Sequence, residues 1–280
     1  MKLGDSLNSP AQKRCYNEWV FSLIASEYDV ITRVLSFWRD AAWKRLLVGM
    51  LPACAAPSCL DLACGTGDLC GLLAGRYPDG LIAGVDIADA MLAIARRRHP
   101  APSIRFLRQD MGRLEFPDAS IDRVTGSYAL RNAPDLPVVL REVHRVLKPG
   151  GTAAFLDFSK SPRRVPRKIS YGLLKIWGGF WGLVLHGNPE VYGYIAESLK
   201  LFPDRVQLRR AMEQSGLHLV DSRLLFFGML ELTVVERPAG EGVSCVLNDS
   251  SPMNRSTCIR IKSLSENPLV SWPSGFSDRL

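Results

Sequence analysis

The chain has seven cysteines but no C-x-x-C pair, and its four histidines stand at no metal-ligand spacing from them. No metal is therefore expected. Unframed thiols such as Cys15, Cys54 and Cys64 are expected to be reduced, as in a cytosol-like compartment. Also missing is an uninterrupted apolar run long enough to span a bilayer. Met1 to Arg14 has no secretory apolar stretch, and no internal repeat is apparent. The third glycine of a dinucleotide-type G-x-G-x-x-G turn is replaced by Cys70. With 280 residues, 47% hydrophobic and 22% charged, the chain is long enough for a full core. Its net charge of +7 keeps an anionic membrane surface or a nucleic acid in play as partner.

What is present begins with Leu60-Asp61-Leu62-Ala63-Cys64-Gly65-Thr66-Gly67-Asp68, an apolar run ending in a glycine turn. A second run, Leu81 to Val85, ends in Asp86, and a third, Ile104 to Gln109, ends in Asp110. Gly65 and Gly67 permit a tight turn and close approach of a ligand to the main chain. Asp86 stands where a carboxylate takes both ribose hydroxyls, and Asp110 where one accepts from an adenine amino group. Acids at Asp61 and Asp68 repel a pyrophosphate but suit the ammonium and sulfonium of S-adenosylmethionine (SAM). These features predict a SAM pocket, with SAM as the methyl donor.

Strand-like and helix-like stretches alternate, predicting an α/β fold: a Rossmann-like, mostly parallel seven-stranded sheet with helices on both faces. Helices are predicted over Asp89 to Arg98, Leu136 to Leu147 and Arg205 to Ser215. Lys148-Pro149-Gly150-Gly151 reads as a helix terminator before a strand over Thr152 to Phe158. Leu217 to Phe226 and Met229 to Glu236 read as a closing antiparallel hairpin. The expected organisation is a helical lid over residues 1–48 and a catalytic domain over 49–237 with a lid insertion at about 160–203. A disordered tail is expected over 238–280, from its Ser, Asn and Pro content. That tail carries four basic and four acidic residues, so the positive charge belongs to the folded part. Ile169 to Leu185 is apolar but rich in glycine, and follows Arg163, Arg164, Arg167 and Lys168. One reading is a lid covering the core. The other is an interfacial element resting on anionic lipid.

Three motifs carry a family resemblance. Tyr28-Asp29-Val30-Ile31-Thr32-Arg33-Val34-Leu35-Ser36 with Trp43-Lys44 is similar to the N-terminal signature of the ubiquinone/menaquinone-biosynthesis C-methyltransferases. Ser127-Tyr128-Ala129-Leu130-Arg131-Asn132 resembles their S-F-G-x-R-N loop. Arg145 to Gly151 with Asp157-Phe158-Ser159 resembles R-V-L-K-P-G-G followed by E-F-S, and Tyr192 to Ser198 adds a fourth match. The resemblance covers about Val20 to Glu236. It implies SAM-dependent carbon methylation of a lipid-tailed benzoquinol or naphthoquinol by a cytoplasmic, peripherally membrane-associated enzyme. Thr66, Asp86, Ile87, Asp110, Met111 and Ser127 are then implied SAM contacts. The chain departs from the family pattern at Thr32 (Asn), Trp38 (Gly), Asp40 (His) and Asp157 (Glu).

A hydroquinone carbon becomes nucleophilic as a ring hydroxyl loses its proton, and a nearby cation favours the phenolate. Arg131, which cannot readily release a proton, is expected to stabilise that phenolate. Asn132 and Tyr28 are expected to orient water or the ring oxygens. His186 is a weaker acceptor-site candidate, and the other three histidines are expected at the surface or in the core. Two readings compete with quinol methylation: a SAM methyltransferase for another phenolic lipid, and a non-catalytic SAM-binding scaffold. No N-P-P-Y-type loop follows the fourth strand, so nucleic acid is not the expected partner. A homodimer and a quinone-synthesis complex are both left open.

Overall fold

Five largely apolar stretches form parallel strands: β1 (Ser58–Leu62), β2 (Leu81–Asp86), β3 (Ile104–Arg108), β4 (Ile121–Ser127) and β5 (Leu147–Phe158). The computed structural model describes residues 9–161, 171–172, 176–181 and 198–239. Two antiparallel strands, β6 (His218–Leu225) and β7 (Leu230–Glu236), complete a sheet of order β3-β2-β1-β4-β5-β7-β6. The predicted hairpin is present, and composition decides which arm lies inside. Apolar β7 is buried for six of its seven residues and slots against β5, while β6, rich in polar residues, takes the edge. The carboxylate of Glu231, buried on β7, is met by Arg205 and Arg209.

Helices connect the strands: α4 (Asp68–Arg76), α5 (Asp89–Arg98), the single turn α6 (Ala129–Asn132), α7 (Leu136–Val146) and α8 (Arg205–Gln214). Local chemistry starts them. The Asp135 carboxylate accepts from the Val138 N–H to cap α7, and Asp204 with Gln207 forms a capping box on α8. The Lys148-Pro149-Gly150-Gly151 element corrects the predicted boundary. It ends α7 at Val146 but already belongs to β5, which starts at Leu147. The register jumps there, because Ile121 pairs with Leu147 whereas Arg123 pairs with Thr152. The Gly150 N–H donates to the Arg237 carbonyl, and the Arg237 N–H to that of Gly151, so the extra residues are fastened to the end of β7.

Three helices precede the sheet: α1 (Pro10–Ile24), α2 (Tyr28–Leu35) and α3 (Asp40–Met50). Ile24, Ala25 and Ile31 pack on Ala88 and Met91, which sets α1 and α2 against the start of α5. Trp43, Leu47, Val48 and Leu51 of α3 and its end join the main core instead. Thus α1 and α2 roof the carboxyl ends of the strands, where ligands of such sheets bind, and α3 braces them from behind. Of the predicted insertion, residues 162–170, 173–175 and 182–197 lie outside the described residues, as do 240–280 of the tail. Arg163, Arg164, Arg167, Lys168 and His186 fall there, and so does the Tyr192 motif up to Glu197.

Candidate active site

The turn after β1 is left-handed at Ala63 (φ 49°), Gly65 (φ 54°) and Gly67 (φ 87°), and it opens a polar cavity of about 50 Å³. Gly65, Asp86, Ile87, Asp110, Met111 and Ser127 line it. Asp86, at the end of β2, accepts the Gly65 N–H at 2.8 Å and the Ala88 N–H at 2.9 Å. Those two bonds aim the carboxylate and leave it lone pairs for a diol. Burial pushes its pKa up, while the two N–H groups pull it back. Asp110 accepts the Gly112 N–H through Oδ1, and its Oδ2 lies 3.1 Å from Arg14 of α1. A glycine turn bordering the cavity, an aimed acid and a second acid one strand over fit the ribose and adenine of SAM. Asp86→Ala is expected to cost about 1.5–3 kcal/mol of SAM binding, roughly 10- to 150-fold in Kd. Calorimetric titration measures it, and an unchanged Kd would move the ribose elsewhere.

Three residues expected to touch SAM lie behind this cavity instead of in its wall. Asp61 is 1% exposed and accepts the Thr125 hydroxyl at 2.7 Å and the Cys70 thiol at 3.7 Å. Burial lifts its pKa to about 7 against those two bonds. The Thr66 hydroxyl donates to Asp29 of α2 at 3.0 Å, fastening the roof to the turn. Gly67 starts α4, and a Cβ there would sit 2.9 Å from His99 and 3.1 Å from Phe106, so it is a packing glycine. His99 and His144 are partly buried, His99 against Gly67 and Gly71 and His144 against Gly216.

Beside the polar cavity lies an apolar one of about 130 Å³. Phe21, Tyr28, Tyr128 and Asn132 line both, so one layer of side chains separates donor from acceptor space. Trp43, Phe158, Trp177 and Phe226 wall the apolar side, and Arg131 supplies its cation. The Arg131 main-chain N–H donates to Asp157 at 3.0 Å, Nη1 donates to Ser198 at 2.6 Å, and the guanidinium lies 5.1 Å from the Phe158 ring centre. Asn132 donates from Nδ2 to the Tyr128 carbonyl and accepts from Asn17 through its own. Lys13 of α1 donates to the carbonyls of Arg131 and Ala133, and burial, with Arg131 nearby, lowers its pKa to about 8. Burial raises the Tyr28 phenol above its ordinary pKa, so it keeps its proton at neutral pH. Arg131, Asn132 and Tyr28 are thus brought together around the apolar cavity.

Sequence reading missed a charge chain, buried at Asp40 and Lys44, running from this wall to the glycine turn. The Tyr128 hydroxyl donates to Asp40 at 2.9 Å. Lys44 lies 2.6 Å from Asp40 and 2.9 Å from Asp68, and Arg98 bridges Asp68 to Asp29. Burial would lower the Lys44 ammonium, but the two carboxylates hold it above the ordinary lysine range. The only signal in the sequence was the pair of motifs containing Trp43-Lys44 and Tyr128.

A glycine turn after the first strand, an acid ending the second, and an acceptor cavity across from them on this sheet define a class I SAM-dependent methyltransferase. A SAM-dependent methyltransferase of Thermotoga maritima, described as a possible histamine N-methyltransferase, has the same fold. It gives a TM-score of 0.55 at 18% identity over 79% of this chain and 99% of that one. Residues 10–234 match the ubiE/COQ5 methyltransferase family, and the chain belongs to it. It is 39% identical to a demethylmenaquinone methyltransferase of Thermus thermophilus, over 78% of this chain and all of that one. It is 35% identical to a 2-phytyl-1,4-naphtoquinone methyltransferase of Thermosynechococcus vestitus, over 78% of this chain and 97% of that one.

Proposed function

We propose that the enzyme methylates a ring carbon of a lipid-tailed quinol, a benzoquinol or naphthoquinol of quinone biosynthesis, at a membrane surface. The observation that carries the reading is the apolar cavity with the buried Arg131 in its wall, set one residue layer from the cavity that holds Asp86 and Asp110. SAM, when bound, supplies a methyl group on a positively charged sulfur. The chain's own residues do the rest. Apolar walls take the ring and the start of its tail and exclude water, which strengthens every charge interaction inside. Arg131 favours the phenolate form of the ring hydroxyl, and so raises electron density at the neighbouring carbon. Tyr28 and Asn132 hold the ring against the donor cavity, and such positioning supplies up to roughly 7–11 kcal/mol in the best cases.

The membrane part rests on side chains at the cavity mouth. Phe226 lines the apolar cavity, and Phe227 beside it is 98% exposed on the turn between β6 and β7. Trp38 is 68% exposed next to Phe37, which stacks on the cavity-lining Trp177 at 4.5 Å. All four turn aromatics, Phe37, Trp38, Phe226 and Phe227, have left-handed backbones, an arrangement that costs energy, and it sets Trp38 and Phe227 outward while Phe37 and Phe226 face the cavity wall. Among the described residues no helix is long and apolar enough to cross a membrane.

An anaerobic assay tests both parts, with radiolabelled SAM and a short-tailed demethyl-naphthoquinol and benzoquinol. Label on a ring carbon of either acceptor is the expected result. Label on oxygen, or none with SAM bound, counts against the reading. Co-sedimentation with anionic vesicles should weaken when Arg163, Arg164, Arg167 and Lys168 become Gln, by about 1 kcal/mol per charge at most. It should weaken again in Phe227→Ser. Equal binding to neutral and anionic vesicles removes the electrostatic part.

A further inference from the structure

Tyr128 stands where the two cavities meet and has no freedom to turn. Its backbone is left-handed (φ 57°), its N–H donates to the Leu156 carbonyl at 2.7 Å, and its ring lies 5.9 Å from that of Phe158. The hydroxyl donates to Oδ1 of Asp40, whose Oδ2 is 2.6 Å from the Lys44 ammonium. Asp40 and Lys44 are 5% and 4% exposed. A carboxylate paired to a buried ammonium only accepts hydrogen bonds. The Tyr128 proton is therefore committed to Asp40, and the lone pairs of its oxygen are what it has to offer a ligand. Burial, and then Asp40, keep the phenol well above its ordinary pKa, so the proton stays in place at neutral pH. Both residues depart from the quoted family motifs, Tyr128 at the Phe of S-F-G-x-R-N and Asp40 at the signature His, and here they touch.

We propose that Tyr128, oriented by Asp40, selects the reduced ring by accepting a hydrogen bond from a quinol hydroxyl. The inference rests on the quinol reading. Tyr128 touches the substrate, and Asp40 is a positioning residue acting through it. A quinol hydroxyl brings a proton to the Tyr128 oxygen. A quinone carbonyl brings a second acceptor, so two lone pairs face each other in a dry site, and a polar group left unpaired there weakens binding. Only the reduced ring is nucleophilic. Rejecting the oxidised ring keeps an inert look-alike out of the cavity.

The test measures binding of one short-tailed naphthoquinone in two redox states to the protein loaded with S-adenosylhomocysteine. Fluorescence of the wall residues Trp43 and Trp177 reports the titration, with dithionite under anaerobic conditions producing the reduced form. The wild type should bind the reduced form about tenfold more tightly, the value of one such hydrogen bond. Tyr128→Phe should lose that preference by weakening the reduced form alone. In Asp40→Asn the amide N–H can donate to the Tyr128 oxygen, which turns the hydroxyl proton toward the cavity. The oxidised form should then bind more tightly and the reduced form more weakly, whereas a merely structural role would weaken both together. A wild type without redox preference, a Tyr128→Phe variant that keeps it, or parallel losses in Asp40→Asn would each overturn the proposal. If the wild type also fails to methylate any quinol, the quinol reading falls with it. Turnover without redox preference sinks only the Tyr128 proposal.

Discussion

Arg131→Ala and Asn132→Ala should each lower methyl transfer by roughly 10²- to 10⁴-fold, the scale of a positioned group that assists proton removal. SAM affinity should stay near wild type for Arg131→Ala, because Arg131 lines only the apolar cavity. Asn132 borders both cavities, so its variant should show a small additional loss of SAM binding. Arg131→Lys keeps a charge but loses the planar guanidinium that lies over the Phe158 ring and donates to Ser198, and should recover only part of the rate. Without the cation the ring hydroxyl ionises less readily, so the rising limb of the pH–rate profile should move to higher pH in Arg131→Ala. The measurement is initial rate against pH, with SAM affinity by calorimetry. Wild-type rates in both alanine variants would remove these residues from the chemistry.

The largest loss of stability is expected at Lys44. Removing one member of a buried ion pair strands its partner, and Lys44→Met leaves the Asp40 carboxylate buried without its ammonium. The expected cost is about 3–5 kcal/mol. For a folded unit of this size that is a fall in Tm on the order of 10 °C. Pairing it with Asp40→Leu removes the stranded charge and should return much of the loss, since an apolar replacement of a whole buried pair is often neutral. Thermal melts of the single and double variants measure this. Equal destabilisation in both would mean that the pair matters for shape and not for charge.

How much of this was legible in the sequence follows from how local each feature is. The glycine turn, Asp86 and Asp110 were readable because each sits at a strand end marked within a few residues. Asp61 carried the same mark, yet its side chain turns inward to Thr125 and Cys70. Strand residues alternate faces, and sequence alone did not fix which face of β1 Asp61 occupies. Lys148-Pro149-Gly150-Gly151 announced the end of α7 correctly, but punctuation residues say where an element stops and not what the next residues pair with. The contact of Tyr128 with Asp40 spans 88 positions, and that of Thr66 with Asp29 spans 37. No periodicity encodes such distances, so the wall between the cavities emerged only once the sheet had brought the pieces together.

The roof of the site is fastened unevenly. Over the glycine turn, α2 is held through Asp29, Thr66 and Arg98, backed by the buried pair of Asp40 and Lys44. At the Asp110 end, α1 meets that carboxylate through Arg14, whose side chain is 49% exposed, while Lys13 and Asn17 of the same helix donate to the carbonyls of Arg131, Asn132 and Ala133. Exposed pairs are worth about 0–1 kcal/mol and are screened by salt. The Asp110 end is thus held by a light, salt-sensitive contact, whereas the Asp40–Lys44 pair is shielded from solvent. Raised salt should loosen the Asp110 end before the buried pair of Asp40 and Lys44 gives way.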